Sequence, residues 1–302
     1  MTEHPHQRPQ KPTLLIVGCG DVGLRVLKLV RWRWRVLALT SSPGRMAALR
    51  QAGALPLLGD LDQPQTLQRL RSATAMIDTV LHLAPPATTD SADLRTRALL
   101  QSLLQGRRVR RLVYASTTGV YGDCQGQRQD ETRSAAPATE RARRRLDAEG
   151  RVRHFGRSTG VVVSILRVPG IYAQDREGGR PRDRLLRGTP VLVDEEDVYT
   201  SHIHADDLAR ACVAALVRGA PQRIYNVCDN TDMQMGAYFD LAAQLEGLPP
   251  PPRVTRAQAA LQLAPAQLSF MSESRRIGNQ RLVKELRLRL LYPTVLQGLQ
   301  HT

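Results

Sequence analysis

Lysine is almost missing from this chain. Lys11, Lys28 and Lys284 are the only three, so 40 of the 43 basic residues are arginine. With 28 acidic residues, the net charge is +15. Aromatic residues make up only 4% of the 302, poor material for the stacking platforms that hold single-stranded nucleic acid. A positive field can steer anions, but these arginines are scattered and often neighbour acids, so nucleic acid is not the expected partner. Cysteine is also sparse. Cys19, Cys124, Cys212 and Cys228 form no C-x-x-C pair, which suits a reduced, cytoplasmic protein without a disulfide framework or structural zinc. No apolar run approaches the length that crosses a bilayer, and no membrane role is expected. Residues 1–12 carry no apolar stretch of the secretory kind, so a flexible tail is expected there.

What is present is a rhythm. Residues 13–18, 35–40, 54–60, 78–84, 111–117 and 161–169 are short apolar runs, mostly unbroken rather than alternating. That pattern fits strands buried on both faces of a parallel sheet. Between them lie helix-like stretches at 21–32, 43–52, 63–73, 90–105 and 138–149. Repeated βα units predict an α/β fold with a doubly wound parallel sheet. After Pro169 the rhythm breaks, then resumes with a helix at 206–218 and a strand from Arg223; the remainder reads as helical around the loop 248–253. The expected division is a nucleotide-binding domain of 13–169 plus 196–228, and a smaller substrate domain of 170–195 plus 229–302.

Gly18-Cys19-Gly20-Asp21-Val22-Gly23 matches G-x-G-x-x-G. The pattern alone is weak, but here it follows the first strand and opens the first helix, as dinucleotide binding requires. One glycine permits the tight turn, one lets the backbone approach pyrophosphate, and one lets helix and strand pack closely. The helix N-terminus then offers N–H groups to the phosphates. A ligand-free glycine turn is the bland alternative. An acid about twenty residues on would select NAD through its ribose hydroxyls. This chain has Thr40-Ser41-Ser42 instead, with Arg45 one turn later. Ser41, Ser42 and Arg45 suit a 2′-phosphate, so NADP(H) is preferred, with NAD(H) still open.

Further motifs follow in order: GDLDQPQTL (59–67), DTVLHLAPP (78–86), LVYASTTGVYGD (112–123), LRVPGIYAQ (166–174), SHIHADDLARA (201–211) and YNVCDN (225–230). Together they resemble the extended short-chain dehydrogenase/reductase fold of NAD-dependent epimerases and dehydratases. The ending from Ser272 is similar to bacterial atypical members. The resemblance implies a Rossmann domain and an oxidoreductase or epimerase-like activity on a small molecule, with homodimers common among related folds. It implies that Asp60 and Leu61 lie against adenine and that Ala84 and Pro85 line the cofactor. Ser116, Val168 and Pro169 would border the nicotinamide, and Thr117 would take the catalytic Ser/Thr position. His202 and His204 have metal-like spacing without an evident third ligand, so no metal is expected. Asp206 reads as a helix N-cap.

One departure stands out. The family helix carries Tyr-x-x-x-Lys, the phenol exchanging a proton with the substrate oxygen. Aligning RLDAE (145–149) with that pattern puts Arg141 at the Tyr position and Arg145 at the Lys position. A guanidinium does not release its proton at working pH, so Arg141 cannot be the general acid or base. Arg145 could still bond ribose or an anionic substrate. Glu140/Arg144 and Arg145/Glu149 read as i,i+4 pairs and Ala138, Ala142 and Leu146 as a narrow apolar stripe, with Arg143 and Arg144 on a solvated face. Replacement phenols are sought in Tyr121, Tyr172 and Tyr199, Tyr172 following the sixth strand at the cleft. The alternative is a silent NADP(H)-binding sensor or scaffold.

Overall fold

The structure, a computed structural model, describes residues 11–88, 91–106 and 108–300. Most of the expected tail and the expected helix start at Asp90 therefore lie outside the described residues. Seven strands form the central sheet: β1 (Thr13–Val17), β2 (Arg35–Thr40), β3 (Leu55–Leu58), β4 (Thr79–His82), β5 (Arg111–Thr117), β6 (Val162–Val168) and β7 (Arg223–Asn226). Their order is β3-β2-β1-β4-β5-β6-β7, every neighbour parallel. The order reverses between β1 and β4, where a doubly wound sheet opens its binding crevice at the strand ends.

The unbroken apolar runs have a direct cause in β1. Leu14 and Ile16 enter the core on one face, while Leu15 and Val17 enter the core on the other. The first face is covered by α1 (Asp21–Val30) and α7 (Ala205–Arg218), the second by α4 (Leu94–Leu103) and α5 (Glu140–Thr159). Two short helices, α2 (Met46–Gln51) and α3 (Gln68–Ala73), follow β2 and β3, each preceded by a 3₁₀ turn. The expected helix 138–149 starts two residues later, at Glu140, and runs ten residues further, to Thr159. Thr139 caps it by accepting from Ala142 N, and Gly160, at φ +75°, ends it in the left-handed conformation. Gly150 does not stop it, because Val152 and Phe155 beyond it are buried against the sheet.

A third core gathers Tyr172, Val191, Leu192, Val198, Tyr238 and Phe239 with Val295 and Leu299. It is built on α6 (Pro181–Leu186), α8 (Met235–Glu246), α9 (Arg256–Gln262), α10 (Pro265–Met271) and α12 (Val295–Gln300). Between α10 and α12 the chain returns to the large unit. Leu282 of α11 (Gln280–Lys284), with Leu286, Leu288 and Leu290, packs in the same core as β1. The described part of 229–302, a stretch expected to belong to the small domain, therefore contributes to the core on one face of the sheet as well as to the third core. No helix of the described residues is long and apolar enough to cross a membrane.

Candidate active site

The glycine loop is shaped by close approach. Gly18 has φ +84°, and a Cβ there would lie 2.5 Å from the backbone N of Ala84, which presses the ends of β1 and β4 together. Gly23 would place a Cβ 3.3 Å from the Gly18 carbonyl oxygen, the tight packing of helix on strand. Around Gly20 there is no atom within 4 Å of the Cβ position. That open space, before a helix whose first turn has no side-chain cap, fits the pyrophosphate of a dinucleotide. Asp21 spends its carboxylate on Arg25 (3.1 Å) and Arg176 (2.6 Å); Val22 packs against the core.

Arg45 reaches back to the loop, donating from Nη2 to the Cys19 carbonyl at 2.8 Å. Cys19 itself is buried, and burial pushes its thiol up to about 11, with Arg45 pulling the other way. Ser42 N donates to Thr40 Oγ1 at 3.2 Å, and Ser41 is exposed at the end of β2. The Asp60 N–H donates to Thr66 Oγ1, and Leu61 is buried in the second core. Asp62 holds Arg95 through two bonds of 2.7 and 2.5 Å, and Arg95 donates onward to the Pro85 carbonyl at 3.0 Å. These bonds tie Arg45 to the glycine loop and Arg95 to the segment after β4.

At the ends of β5 and β6 lies a cleft of about 140 Å³. Thr117 and Pro169 line it with Arg141, Phe270, Glu273 and Arg275. Thr117 Oγ1 accepts from Gly119 N at 3.2 Å, which fixes the side chain. Arg141 is exposed, its guanidinium 4.7 Å above the Phe270 ring. Arg145 turns inward, donating to the Ala115 carbonyl at 2.7 Å and to Tyr114 Oη at 3.2 Å. Beside it His82 is buried and held down to about 3, by burial first and by the Arg145 charge second.

Several expectations meet a different geometry. Arg145 and Glu149 do not pair. Glu149 is buried and takes Arg167 at 2.8 Å and the Ser116 hydroxyl at 2.6 Å, a network that ties α5 to β5 and β6. The Ser116 hydroxyl is therefore turned into the protein, and Val168 beside it is buried. Glu140 pairs with Arg143, three residues on. Tyr121 is fully buried, donates to Asn226 Oδ1 at 2.7 Å and lies beneath Arg167; burial pushes its phenol up. Tyr172 donates to the Thr294 carbonyl at 3.4 Å, and its hydroxyl abuts Gly298 of α12, away from Thr117. Burial raises it as well. Tyr199 does line the cleft, its ring under Arg276 at 4.8 Å.

Asp206 is not the cap of α7. His204 Nδ1 accepts from Asp206 N at 3.2 Å, while Asp206 pairs with Arg25 at 2.5 Å. His202 stacks on Tyr238 with centroids 4.1 Å apart, and no metal-competent group of three was found among the described residues.

Glu273 and Arg275 escape sequence reasoning. They sit in SESRR, a stretch read only for its likeness. What places them is pairing: Arg276–Ile277 runs beside Arg128–Gln129, and Ser274 bonds Asp123 and Cys124 just after β5. An adjoining cavity of about 590 Å³ shares Gly170, Met235 and Phe270 with the cleft and adds Tyr172, His202 and Arg184.

Comparison with known proteins agrees with this layout. The family model for the NAD dependent epimerase/dehydratase family matches residues 14–228. A protein called YeeZ from Escherichia coli (strain K12) is 26% identical over 245 residues, covering 78% of this chain and 84% of that protein. The structure of a functionally unknown conserved protein from Silicibacter pomeroyi DSS is 31% identical, with a TM-score of 0.81 over 96% of this chain and 97% of the other. A UDP-glucose 4-epimerase from Thermotoga maritima, solved with UDP-glucose, has a TM-score of 0.79 at 19% identity, over 95% and 96% of the two chains. The last likeness is one of fold.

Proposed function

The chain belongs to the NAD dependent epimerase/dehydratase family, and from that premise we propose that it is an NAD(P)-dependent oxidoreductase or epimerase-like enzyme acting on a small molecule. The dinucleotide lies across the crevice, its pyrophosphate over Gly20, its adenosine between residues 41–45 and 60–61, and its nicotinamide beside Thr117 and Pro169. When bound it supplies hydride exchange. NADP(H) is the preferred form, since residues 40–42 offer no acid and Arg45 is folded over the loop.

Thr117 is the residue assigned to the substrate, orienting a carbonyl or alcohol oxygen by hydrogen bond. Proton transfer runs through neither Arg141 nor the hydroxyls of Tyr121 and Tyr172, whose bonds lead elsewhere. The Thermotoga neighbour was solved with UDP-glucose; here the larger adjoining cavity is the place for the non-reacting part of a substrate. The absence of the family phenol favours a second reading, dinucleotide binding without turnover.

Two observations carry the proposal, open space at Gly20 and a cleft lined jointly by Thr117, Pro169 and residues after 195. The test is a titration with NADPH and NADH by nicotinamide fluorescence, followed by absorbance assays with aldehydes, ketones and sugar nucleotides. Tighter binding of NADPH with oxidation by one of them is the expected result. Binding without turnover selects the sensor reading, and no binding overturns both. The four cysteines, free and buried, suit a reducing cytoplasm, and light scattering would show the homodimer common in related folds.

A further inference from the structure

Two guanidinium groups meet in the inner cleft from opposite parts of the chain. Arg141 comes from the first turn of α5, and Arg275 from the segment paired with Arg128–Gln129. Glu273 is the counter-ion of Arg275. The charged residues lining the cleft are therefore two arginines and one glutamate, a net charge of one positive unit. Arg141 has no carboxylate within ion-pair distance among the described residues. Its guanidinium lies over the Phe270 ring, 4.7 Å from the centroid, and a guanidinium packed on a ring by its carbon still has N–H donors for an anion.

Glu273 adds the opposite requirement. Its side chain is 5% exposed, and Oε1 is buried with no hydrogen-bond partner among the described residues. Buried acceptors are nearly always paired, so an unpaired one asks for an absent donor. The same cleft holds the Thr117 hydroxyl. At about 140 Å³ against about 590 Å³ next door, the inner cleft is sized for a reacting end and the outer cavity for the rest.

We infer that the reacting end of the substrate is a hydroxycarboxylate, its carboxylate held by Arg141 and its neighbouring hydroxyl donating to Glu273 beside Thr117. The inference rests on the functional reading above for which end reacts. It differs from a neutral sugar ring in demanding a charge at that end.

The test uses the full chain and small probes followed by saturation-transfer NMR, with and without NADP⁺. Lactate is compared with lactamide, which lacks the charge, with propionate, which lacks the hydroxyl, and with inorganic phosphate. Lactate is expected to bind, and lactamide and propionate to bind more weakly. Arg141→Met should weaken lactate by about tenfold or more, as loss of a charged hydrogen bond does. Arg141→Lys should restore part of it, and Arg143→Met, on the same helix but outside the cleft, should leave it unchanged. No lactate signal at about 10 mM, where a probe with a dissociation constant near 1 mM fills most of its site, overturns the inference. So does equal binding of lactamide, or lactate binding indifferent to Arg141→Met. Phosphate displacing lactate overturns the carboxylate assignment. The NADPH titration is scored separately, so loss of cofactor binding sinks the functional reading while leaving this result interpretable.

Discussion

Gly18 and Gly20 are the same residue two positions apart, used for opposite reasons. Gly18 is enclosed: its φ of +84° and the 2.5 Å approach to Ala84 N leave no room for a side chain. Gly20 faces open space. Gly18→Ala is therefore expected to cost about 2 kcal/mol or more in stability, through both strain and overlap. Gly20→Ala is expected to leave the melting temperature near that of the parent while weakening NADPH binding, because the new methyl occupies the room of the pyrophosphate. Thermal melts and nicotinamide fluorescence on the two variants separate these effects. Equal NADPH affinity in Gly20→Ala and the parent would remove the pyrophosphate from this loop. At this scale the sequence was informative where a motif constrains the backbone, and the loop 18–23 is the clearest case. It was uninformative about where a buried hydroxyl points. Tyr121 and Ser116 lie in the expected segment, but their bonds to Asn226 and Glu149 depend on side chains 105 and 33 residues away.

Helix α5 shows what an element adds to its residues. Read alone, 138–149 is a short basic helix; in the fold it continues through Gly150 to Thr159. Glycine is costly inside a helix, but burial of Val152 and Phe155 on the sheet outweighs that cost. The spacing also suggested a pair that does not form. Glu149 and Arg145 are four apart and read as a pair, yet each finds another partner, Glu149 on Arg167 and Arg145 on the Ala115 carbonyl. A buried carboxylate such as Glu149 is stable only when its charge and oxygens are matched, which is why the helix is fixed in rotation about its axis. That fixed rotation is what sends Arg141, one turn earlier, to the cleft mouth. Gly150 is exposed, helical, and has no atom within 4 Å of its Cβ position. Gly150→Ala should thus stabilise the protein by about 0.5–1 kcal/mol, through helix propensity and a stiffer unfolded chain. Urea denaturation would show a higher midpoint at constant slope. A lower midpoint would mean that the surface around Gly150 is already packed against something.

The described residues are tied together by the segment 282–299, and this is the level at which local sequence patterns say least. The α/β order and the seven-stranded sheet follow from local runs and their spacing. The return of the C-terminal segment does not, because its leucines at 282, 286, 288 and 290 join a core whose other members lie far away in sequence, from Leu14 to Val227. The anchor is Asp207, fully buried near the start of α7. Its two oxygens accept from Leu291 N and Tyr292 N, each at 2.8 Å, and from Arg210 at 2.8 Å. Arg210 also donates to the Arg289 carbonyl at 2.7 Å, and Arg218 to that of Leu286 at 2.6 Å. Beyond this strap the chain enters the small core through Val295 and Leu299, next to Tyr172. One carboxylate therefore couples the sheet domain to the unit that completes the cleft. Asp207→Asn keeps the shape but turns an amide donor towards one of the two backbone N–H groups. The expected loss is about 2–4 kcal/mol, since a buried donor is left unmatched and Arg210 loses its counter-charge. It should appear as a lower urea midpoint together with faster proteolysis between residues 285 and 293. Leu288→Ala also weakens the strap but leaves the carboxylate in place, so it should lower stability without exposing 291–293 to the same degree. If Asp207→Asn unfolds at the parent's urea concentration and its strap resists protease as before, the strap is held by its leucines alone and Asp207 is not the joint between the two units.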